Sequence, residues 1–90
     1  MNLTIIGTGY VGLVTGACFA EFGYSVTCVD KDNKRLEMLK SGKCPFFEPG
    51  MDELLDKHIN KTKLISFSSK IKNNLDYTDI IFITVGTPTR

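Results

Sequence analysis

Hydrophobic and polar positions in the first third of the chain follow strand and helix patterns in turn. An apolar run at residues 3–6 predicts a strand, and small and apolar residues over 10–22 predict a helix that ends at Gly23. Residues 24–29 alternate and are rich in β-branched side chains, which predicts a second strand ending at Asp30. Together these elements form a β-α-β unit.

The pattern continues through the rest of the chain. Asp32 is placed to cap a helix over about 33–40, and a loop rich in Gly and Pro follows. Apolar residues recur at helical spacing between Met51 and Ile59, which predicts another helix. Three further elements are expected: a short strand at 64–67, a brief helix from Ser68 or Ser69 to about Leu75, and a strand at 80–85 that is apolar enough to be buried on both faces.

This alternation predicts one α/β domain over residues 1–90. With right-handed crossovers it forms the first half of a Rossmann-type doubly wound parallel sheet, in the strand order 3-2-1-4 and in three layers, α/β/α.

Composition narrows the possible functions. The chain is 42% hydrophobic and carries a net charge of +1, without a basic run interleaved with aromatic residues, so we expect no nucleic-acid partner. Its apolar stretches are shorter than the ~18 residues that a membrane span needs, and the start lacks the features of a signal peptide. We therefore expect a cytoplasmic protein without a membrane partner.

The cysteines and the histidine predict no metal site and no disulfide framework. Cys18, Cys28 and Cys44 are odd in number and lack CxxC spacing. Cys18 and Cys28 lie in apolar segments and are expected to be buried, inert thiols. His58 lies on the apolar face of a predicted helix and is expected to pack there.

The glycine pattern GTGYVG carries the chemistry. It follows the first strand directly and opens the first helix, which is the context that makes this pattern specific for a dinucleotide. Gly7 permits a tight turn, Gly9 lets the backbone approach a pyrophosphate, and Gly12 allows close packing of helix on strand. The N-terminus of the helix offers free N–H groups to the same anion.

Two further positions complete the predicted cofactor site. Asp30 ends the second strand, where its carboxylate can accept hydrogen bonds from the adenosine ribose hydroxyls, and we expect it to select NAD over NADP. Val85, Gly86 and Thr87 end the fourth strand at the crevice where the sheet order reverses, so this loop is expected to meet the cofactor.

The segments GTGYVGLVTGACFAEFG, VDKDNKRLEMLKSGK, FFEPGMDELL and FITVGTPTR resemble the N-terminal part of the UDP-glucose/GDP-mannose dehydrogenase family over essentially the whole chain. The sequence of these segments is most similar to that of the members that oxidise UDP-glucose. The resemblance implies that Tyr10, Val11 and Gly12 face the NAD pyrophosphate, and that Asp30 and Arg35 hold the adenosine ribose. The full set of expected cofactor-binding residues is Gly7, Thr8, Gly9, Tyr10, Val11, Gly12, Asp30, Arg35, Val85, Gly86 and Thr87.

The resemblance also implies an activity. Members of this family oxidise UDP-glucose to UDP-glucuronate with two NAD, by two hydride transfers at the sugar C6, through a cysteine-bound thiohemiacetal. The catalytic residues lie further along those proteins, so we expect the chain to be an N-terminal fragment, inactive alone, of a homo-oligomeric enzyme that binds a UDP-sugar.

Other functions stay open on the sequence. The substrate could be GDP-mannose or UDP-N-acetylmannosamine, or the enzyme could be a different NAD-dependent Rossmann dehydrogenase. In another class, the chain could be a non-catalytic NAD-binding regulatory module.

Overall fold

The computed structural model describes residues 1–46, 48–70 and 78–84. Within them, parallel strands form one sheet in the order β3-β2-β1-β4. The strands are β1 (Asn2–Ile6), β2 (Ser25–Val29), β3 (Ile65–Ser68) and β4 (Ile80–Ile83). The predicted Rossmann-type order 3-2-1-4 is therefore confirmed.

Helices precede β2 and β3 along the chain. They are α1 (Tyr10–Glu21), α2 (Asn33–Lys40) and α3 (Met51–Asp56). Their apolar residues share one core with the strands, so these helices form a layer on one face of the sheet. Ser68, one of the two residues at which a further helix was predicted to begin, is the last residue of β3. Residues 71–75 of that predicted helix lie outside the described residues.

The core lies between the sheet and these helices. A Cβ atom added at Gly16 of α1 would lie 3.2 Å from Ile5 Cδ1 and 3.4 Å from Val26 Cγ1, so the helix packs closely on β1 and β2. Full burial of a large aliphatic side chain contributes roughly 1.5–3 kcal/mol. The buried cluster consists of Ile5, Leu13, Ala17, Ala20, Val26, Cys28, Leu39, Met51, Leu55 and Ile65.

The helix predicted from Met51 to Ile59 changes its hydrogen-bonding pattern on the way. After α3 the chain continues as a π-helical turn over Lys57–Lys61. His58 in this turn is buried, with Nε2 2.7 Å from Glu21 Oε1 and Nδ1 2.8 Å from Thr62 Oγ1. Glu21 of α1 and Thr62, which follows the turn, thus provide polar partners for the buried ring, and the packing role expected for His58 is confirmed.

The predicted burial of the fourth strand is wrong. The side chains of Ile80, Ile81 and Ile83 are 39%, 44% and 70% exposed. β4 is the last strand in the sheet order, and in the part of the chain that the structure describes it pairs only with β1. Burial on both faces needs covering layers as well as an apolar sequence.

The thiols differ in their surroundings. Cys28 in β2 is buried, as expected, and desolvation raises the pKa of its thiol to about 12. Cys18 is exposed, so the prediction of a buried thiol was wrong at that position. It lies in α1 one residue after Ala17, which faces the core, and the turn of the helix directs it outward.

Candidate functional site

The turn between β1 and α1 depends on two glycines that cannot carry a side chain. Gly7 has a φ of +104°, which L side chains rarely adopt. A Cβ at Gly12 would lie 2.0 Å from the Gly7 carbonyl oxygen. The conformations expected for these two glycines, a tight turn and a close approach, are therefore confirmed.

The N-terminus of α1 opens without a cap. Gly9 occupies the N-cap position with ordinary extended torsion angles, no side chain bonds the first turn, and that turn holds no acidic residue. The first helical bond runs from Leu13 N to Gly9 O at 3.0 Å, so the earlier amides have no helical carbonyl to bond. A Cβ at Gly9 would meet nothing within 4 Å. These amides and the positive end of the helix dipole can bind an anion there.

A cavity of about 390 Å³ lies in front of this N-terminus. It reaches the carboxyl ends of β1, β2 and β4, where ligands bind in open parallel sheets. Its lining residues are Gly7, Thr8, Gly9, Tyr10, Val11, Asp30, Asp32, Arg35 and Thr84.

Asp30 lies directly after β2, and its carboxylate is held from two sides. Oδ2 accepts from the Thr8 amide at 3.0 Å and from the Thr8 hydroxyl at 2.6 Å, while Oδ1 accepts from the Asp32 amide at 2.9 Å. Desolvation acts to raise the pKa of Asp30, but these hydrogen bonds and the charge of Arg35 hold that pKa below its usual value. The carboxylate is therefore ionised at neutral pH.

Arg35 reaches the same cavity from the first turn of α2. Its Nη1 donates to the Thr8 carbonyl at 3.2 Å. The helix that carries it is fixed by Asp32, whose Oδ1 accepts from the amides of Lys34 and Arg35 at 3.1 and 3.2 Å. The site thus holds a cation and an anion on neighbouring elements.

Tyr10 connects the cavity to the loop before α3. Its ring centroid lies 5.3 Å from that of Phe46, and the charge of Glu48, together with a side-chain hydrogen bond to it, raises the pKa of the Tyr10 phenol. The Glu48 carbonyl accepts from the Met51 amide at 3.0 Å, so the loop is braced at the start of α3. Glu48 thus lies against the tyrosine of the glycine motif.

Thr84 is a site residue that the sequence did not single out. It follows β4 directly, lines the cavity, and its hydroxyl lies 3.0 Å from the carbonyl oxygens of both Ile6 and Gly7. The predicted strand ran to Val85, which placed Thr84 in a strand interior. A strand end two residues earlier would have brought it to the crevice.

Most of the predicted cofactor residues meet at one place. Gly7, Thr8, Gly9, Tyr10, Val11, Asp30 and Arg35 line the cavity, whereas Gly12 lies behind the turn against Gly7. Val85, Gly86 and Thr87 lie outside the described residues. Contact of these residues with a cofactor stays a prediction.

The same described ranges lack the features of a metal centre or of a membrane-spanning helix. They hold no group of three or more His, Cys, Asp or Glu side chains that could bind a metal ion. They also include no helix with the length and apolar character needed to cross a membrane.

Comparison with known proteins identifies close relatives. Residues 1–90 match the model of the UDP-glucose/GDP-mannose dehydrogenase family, NAD binding domain. UDP-glucose 6-dehydrogenase of Rhizobium meliloti (strain 1021) is 48% identical over 90 residues, which are 100% of this chain and 20% of that protein. The chain therefore spans about a fifth of the length of this relative.

Solved structures agree with the family match. GDP-mannose dehydrogenase of Pseudomonas aeruginosa superposes with a TM-score of 0.92 at 34% identity, over 100% of this chain and 20% of that one. UDP-glucose dehydrogenase of Pyrobaculum islandicum gives a TM-score of 0.90 at 34% identity, over 99% and 20%. Two structures named for different sugar nucleotides are thus equally similar to the chain in sequence.

Proposed function

The chain belongs to the UDP-glucose/GDP-mannose dehydrogenase family, whose NAD-binding domain it forms, and we propose that it binds NAD in the cavity at the start of α1 for an enzyme that oxidises UDP-glucose to UDP-glucuronate. One observation carries the choice of site: the uncapped N-terminus of α1 and the ionised Asp30 carboxylate face the same cavity. A dinucleotide has an anionic pyrophosphate and a ribose diol that match these two features.

The pyrophosphate would lie against the backbone at Gly9, because a side chain there would project into open space. The amides at the start of α1 donate to it, and the helix dipole favours its charge. The first turn of α1 holds no acidic residue to oppose this charge. The site therefore fits a diphosphate without a basic side chain at the glycines.

The adenosine ribose would lie between Asp30 and Arg35. Asp30 accepts a hydrogen bond from a ribose hydroxyl, and Arg35 supplies donors and a positive charge next to it. A 2′-phosphate would face the carboxylate, and like charges ~4 Å apart cost about 4 kcal/mol at an effective dielectric of ~20. The Asp30 carboxylate therefore accounts for a preference for NAD over NADP.

A bound NAD would supply the hydride acceptor for oxidation of the substrate. In this proposal the described residues would hold the cofactor, and the resemblance to the family implies that the nucleophile and the sugar site lie in other parts of the enzyme. The substrate proposal is supported by the 48% identity over the whole chain to a curated relative named for UDP-glucose. A homo-oligomeric state and a cytoplasmic location stay predictions.

The cofactor proposal is tested by calorimetric titration of the full-length protein with NAD and NADP. NAD should bind more tightly, and Asp30→Ala should lower the NAD:NADP affinity ratio by up to about a thousandfold, which corresponds to about 4 kcal/mol. Asp32→Asn is the matched control, because Asp32 lines the same cavity but bonds the start of α2. An unchanged ratio in Asp30→Ala would contradict the proposal.

The substrate proposal is tested by offering UDP-glucose, GDP-mannose and UDP-N-acetylmannosamine to the full-length protein with NAD. NADH formation should be fastest with UDP-glucose and should reach two NADH for each UDP-glucuronate. Faster reduction of NAD with another sugar would reassign the substrate. Tight NAD binding without oxidation of any of them would favour the regulatory module.

A further inference from the structure

Thr8 lies at the centre of the site but is closed off from solvent. The residue is 0% exposed, although it borders the cavity between two glycines. Its hydroxyl donates to Asp30 Oδ2 at 2.6 Å. In this arrangement its side chain is directed at the carboxylate and is out of reach of a ligand in the cavity.

The backbone of Thr8 makes two further contacts in the site. Its amide donates to the same Asp30 Oδ2 at 3.0 Å, and its carbonyl accepts from Arg35 Nη1 at 3.2 Å. One buried residue is thus bonded both to the anion and to the cation that border the expected ribose position. Both charged side chains take their direction from it.

The contacts also determine which carboxylate oxygen remains available. An ionised carboxylate offers about four lone-pair sites, two on each oxygen. Thr8 fills both sites of Oδ2, and the Asp32 amide fills one on Oδ1. The remaining acceptor site is therefore on Oδ1, so this is the oxygen that can still accept a hydrogen bond from a ligand.

From these contacts we infer that Thr8 is a positioning residue that sets the choice between NAD and NADP through Asp30. The inference rests on the proposed binding of NAD in this cavity. Without the hydroxyl, Oδ2 keeps only the Thr8 amide, and the carboxylate can rotate about its Cβ–Cγ bond. A rotated carboxylate accepts less well from the ribose and opposes a 2′-phosphate less strongly.

A purely structural role for Thr8 predicts a different result. Loss of a buried hydrogen bond would lower the stability of the turn and weaken the binding of NAD and of NADP by the same factor. A positioning role instead changes the ratio of the two affinities, and only while Asp30 is present. The ratio and its dependence on Asp30 therefore separate the two roles.

The experiment measures NAD and NADP dissociation constants by calorimetry on the full-length protein. Thr8→Val removes the hydroxyl and nearly keeps the volume, whereas Thr8→Ser keeps the hydroxyl. Thr8→Val should lower the NAD:NADP affinity ratio by about tenfold or more, as expected for a lost hydrogen bond to a charged group. Thr8→Ser should restore most of the ratio.

The same substitutions in an Asp30→Ala background complete the test. There Thr8→Val should leave the ratio unchanged, because the carboxylate it positions is absent. An equal loss of affinity for NAD and NADP would overturn the inference. The same fall in the NAD:NADP affinity ratio in the Asp30→Ala background would also overturn it. If Thr8→Val does not fold, Thr8→Ala removes the hydroxyl without a branched apolar side chain and carries the same expectation.

The two proposals fail in different ways. A folded wild-type protein that binds neither cofactor would overturn the proposed function and the inference with it. A wild-type protein that prefers NAD, with the same preference in Thr8→Val and Thr8→Ala, would overturn the role of Thr8 alone.

Discussion

Two helix N-termini border the same cavity and begin in opposite ways. α1 starts at Gly9 without a side-chain cap, whereas α2 starts at Asp32, which accepts from the amides of Lys34 and Arg35. Capping by Asp in place of an apolar residue is worth about 0.5–2 kcal/mol. The chain uses that stabilisation at α2 and leaves it out at α1, where the free amides can bind a ligand.

Asp30 lies between the two helix starts. One of its oxygens accepts from Thr8 in the turn before α1, and the other accepts from the amide of Asp32, the cap of α2. The capped start of α2 therefore holds, through the Asp32 amide, the carboxylate that borders the uncapped start of α1. The capped terminus thus fixes the site, and the uncapped terminus provides its donors.

The largest expected effect comes from giving α1 a cap like that of α2. Gly9→Asp should be tolerated, because the torsion angles at Gly9 are ordinary and a Cβ there meets no atom within 4 Å. The new carboxylate would occupy the phosphate position, and repulsion of about 4 kcal/mol at ~4 Å corresponds to about a thousandfold loss of NAD affinity. Calorimetry measures the affinity, and a thermal melt shows whether the protein is folded.

Gly9→Ala is the control for that substitution. It adds a methyl group at the same place without a charge, so its loss of affinity should be clearly smaller. If Gly9→Asp bound NAD as well as wild type does, the anion would not be bound at this helix start.

The next effect concerns the turn that presents the open terminus. Gly12→Ala places a Cβ 2.0 Å from the Gly7 carbonyl oxygen, which is backbone and cannot move aside cheaply. Overpacking of this kind costs about 1–3 kcal/mol and occasionally more. Urea unfolding should show this loss of stability, with weaker NAD binding.

Gly16→Ala supplies a comparison on the same helix. Its Cβ would meet only side-chain atoms, the nearest being Ile5 Cδ1 at 3.2 Å, so neighbours can adjust by a few tenths of an ångström. Gly16→Ala should therefore destabilise less than Gly12→Ala. The reverse order would mean that the turn tolerates displacement of Gly7.

A smaller effect is expected at the capped terminus. Asp32→Ala removes the acceptor of two amides and should lower the free energy of unfolding by about 1 kcal/mol. NAD affinity should stay close to that of wild type, because the Asp32 amide that bonds Asp30 is retained. Asp32→Asn, which can still cap the helix, should recover most of the stability. A large loss of NAD affinity in Asp32→Ala would remove the distinction between the two termini.

The parts of this site that the sequence predicted are local in the chain. Gly7, Gly12 and Asp30 have their roles set by one β-α-β unit, two strands with one turn and one helix, so their spacing was sufficient. Thr84 touches Gly7 only because β4 pairs beside β1, and the two residues are 77 positions apart. Such contacts depend on where a strand ends, which a hydrophobic pattern locates only to within a few residues.

The same reasoning explains where burial was misjudged. Apolar residues of β4 predicted a covered strand, but coverage depends on neighbouring layers and not on the strand itself. Thr8 shows the opposite case, since a polar residue within a ligand-binding motif is fully buried. Its hydroxyl has a partner in Asp30, 22 positions away, and this partner makes its burial possible.

The smallest expected effect is the pH dependence of the carboxylate between the two termini. The pKa of Asp30 is lowered in the folded protein, so the folded state binds this proton less well than the unfolded chain does. Asp30 therefore contributes stability above the unfolded pKa of about 3.9, and this contribution is lost as the pH falls through the lower folded value. Urea unfolding of wild type and Asp30→Asn between about pH 5 and pH 3 measures it.

The difference in stability between the two proteins should shrink on acidification. The pKa of Glu21 is also lowered, by hydrogen bonds from Lys57 and His58, so wild type alone would show the titration of both groups. Glu21 is present in both proteins, and the difference between them isolates Asp30. Parallel loss of stability in the two proteins would show that the contacts from Thr8 and Asp32 do not favour the ionised Asp30 carboxylate. It would contradict the conclusion that this carboxylate is fixed between the two helix starts.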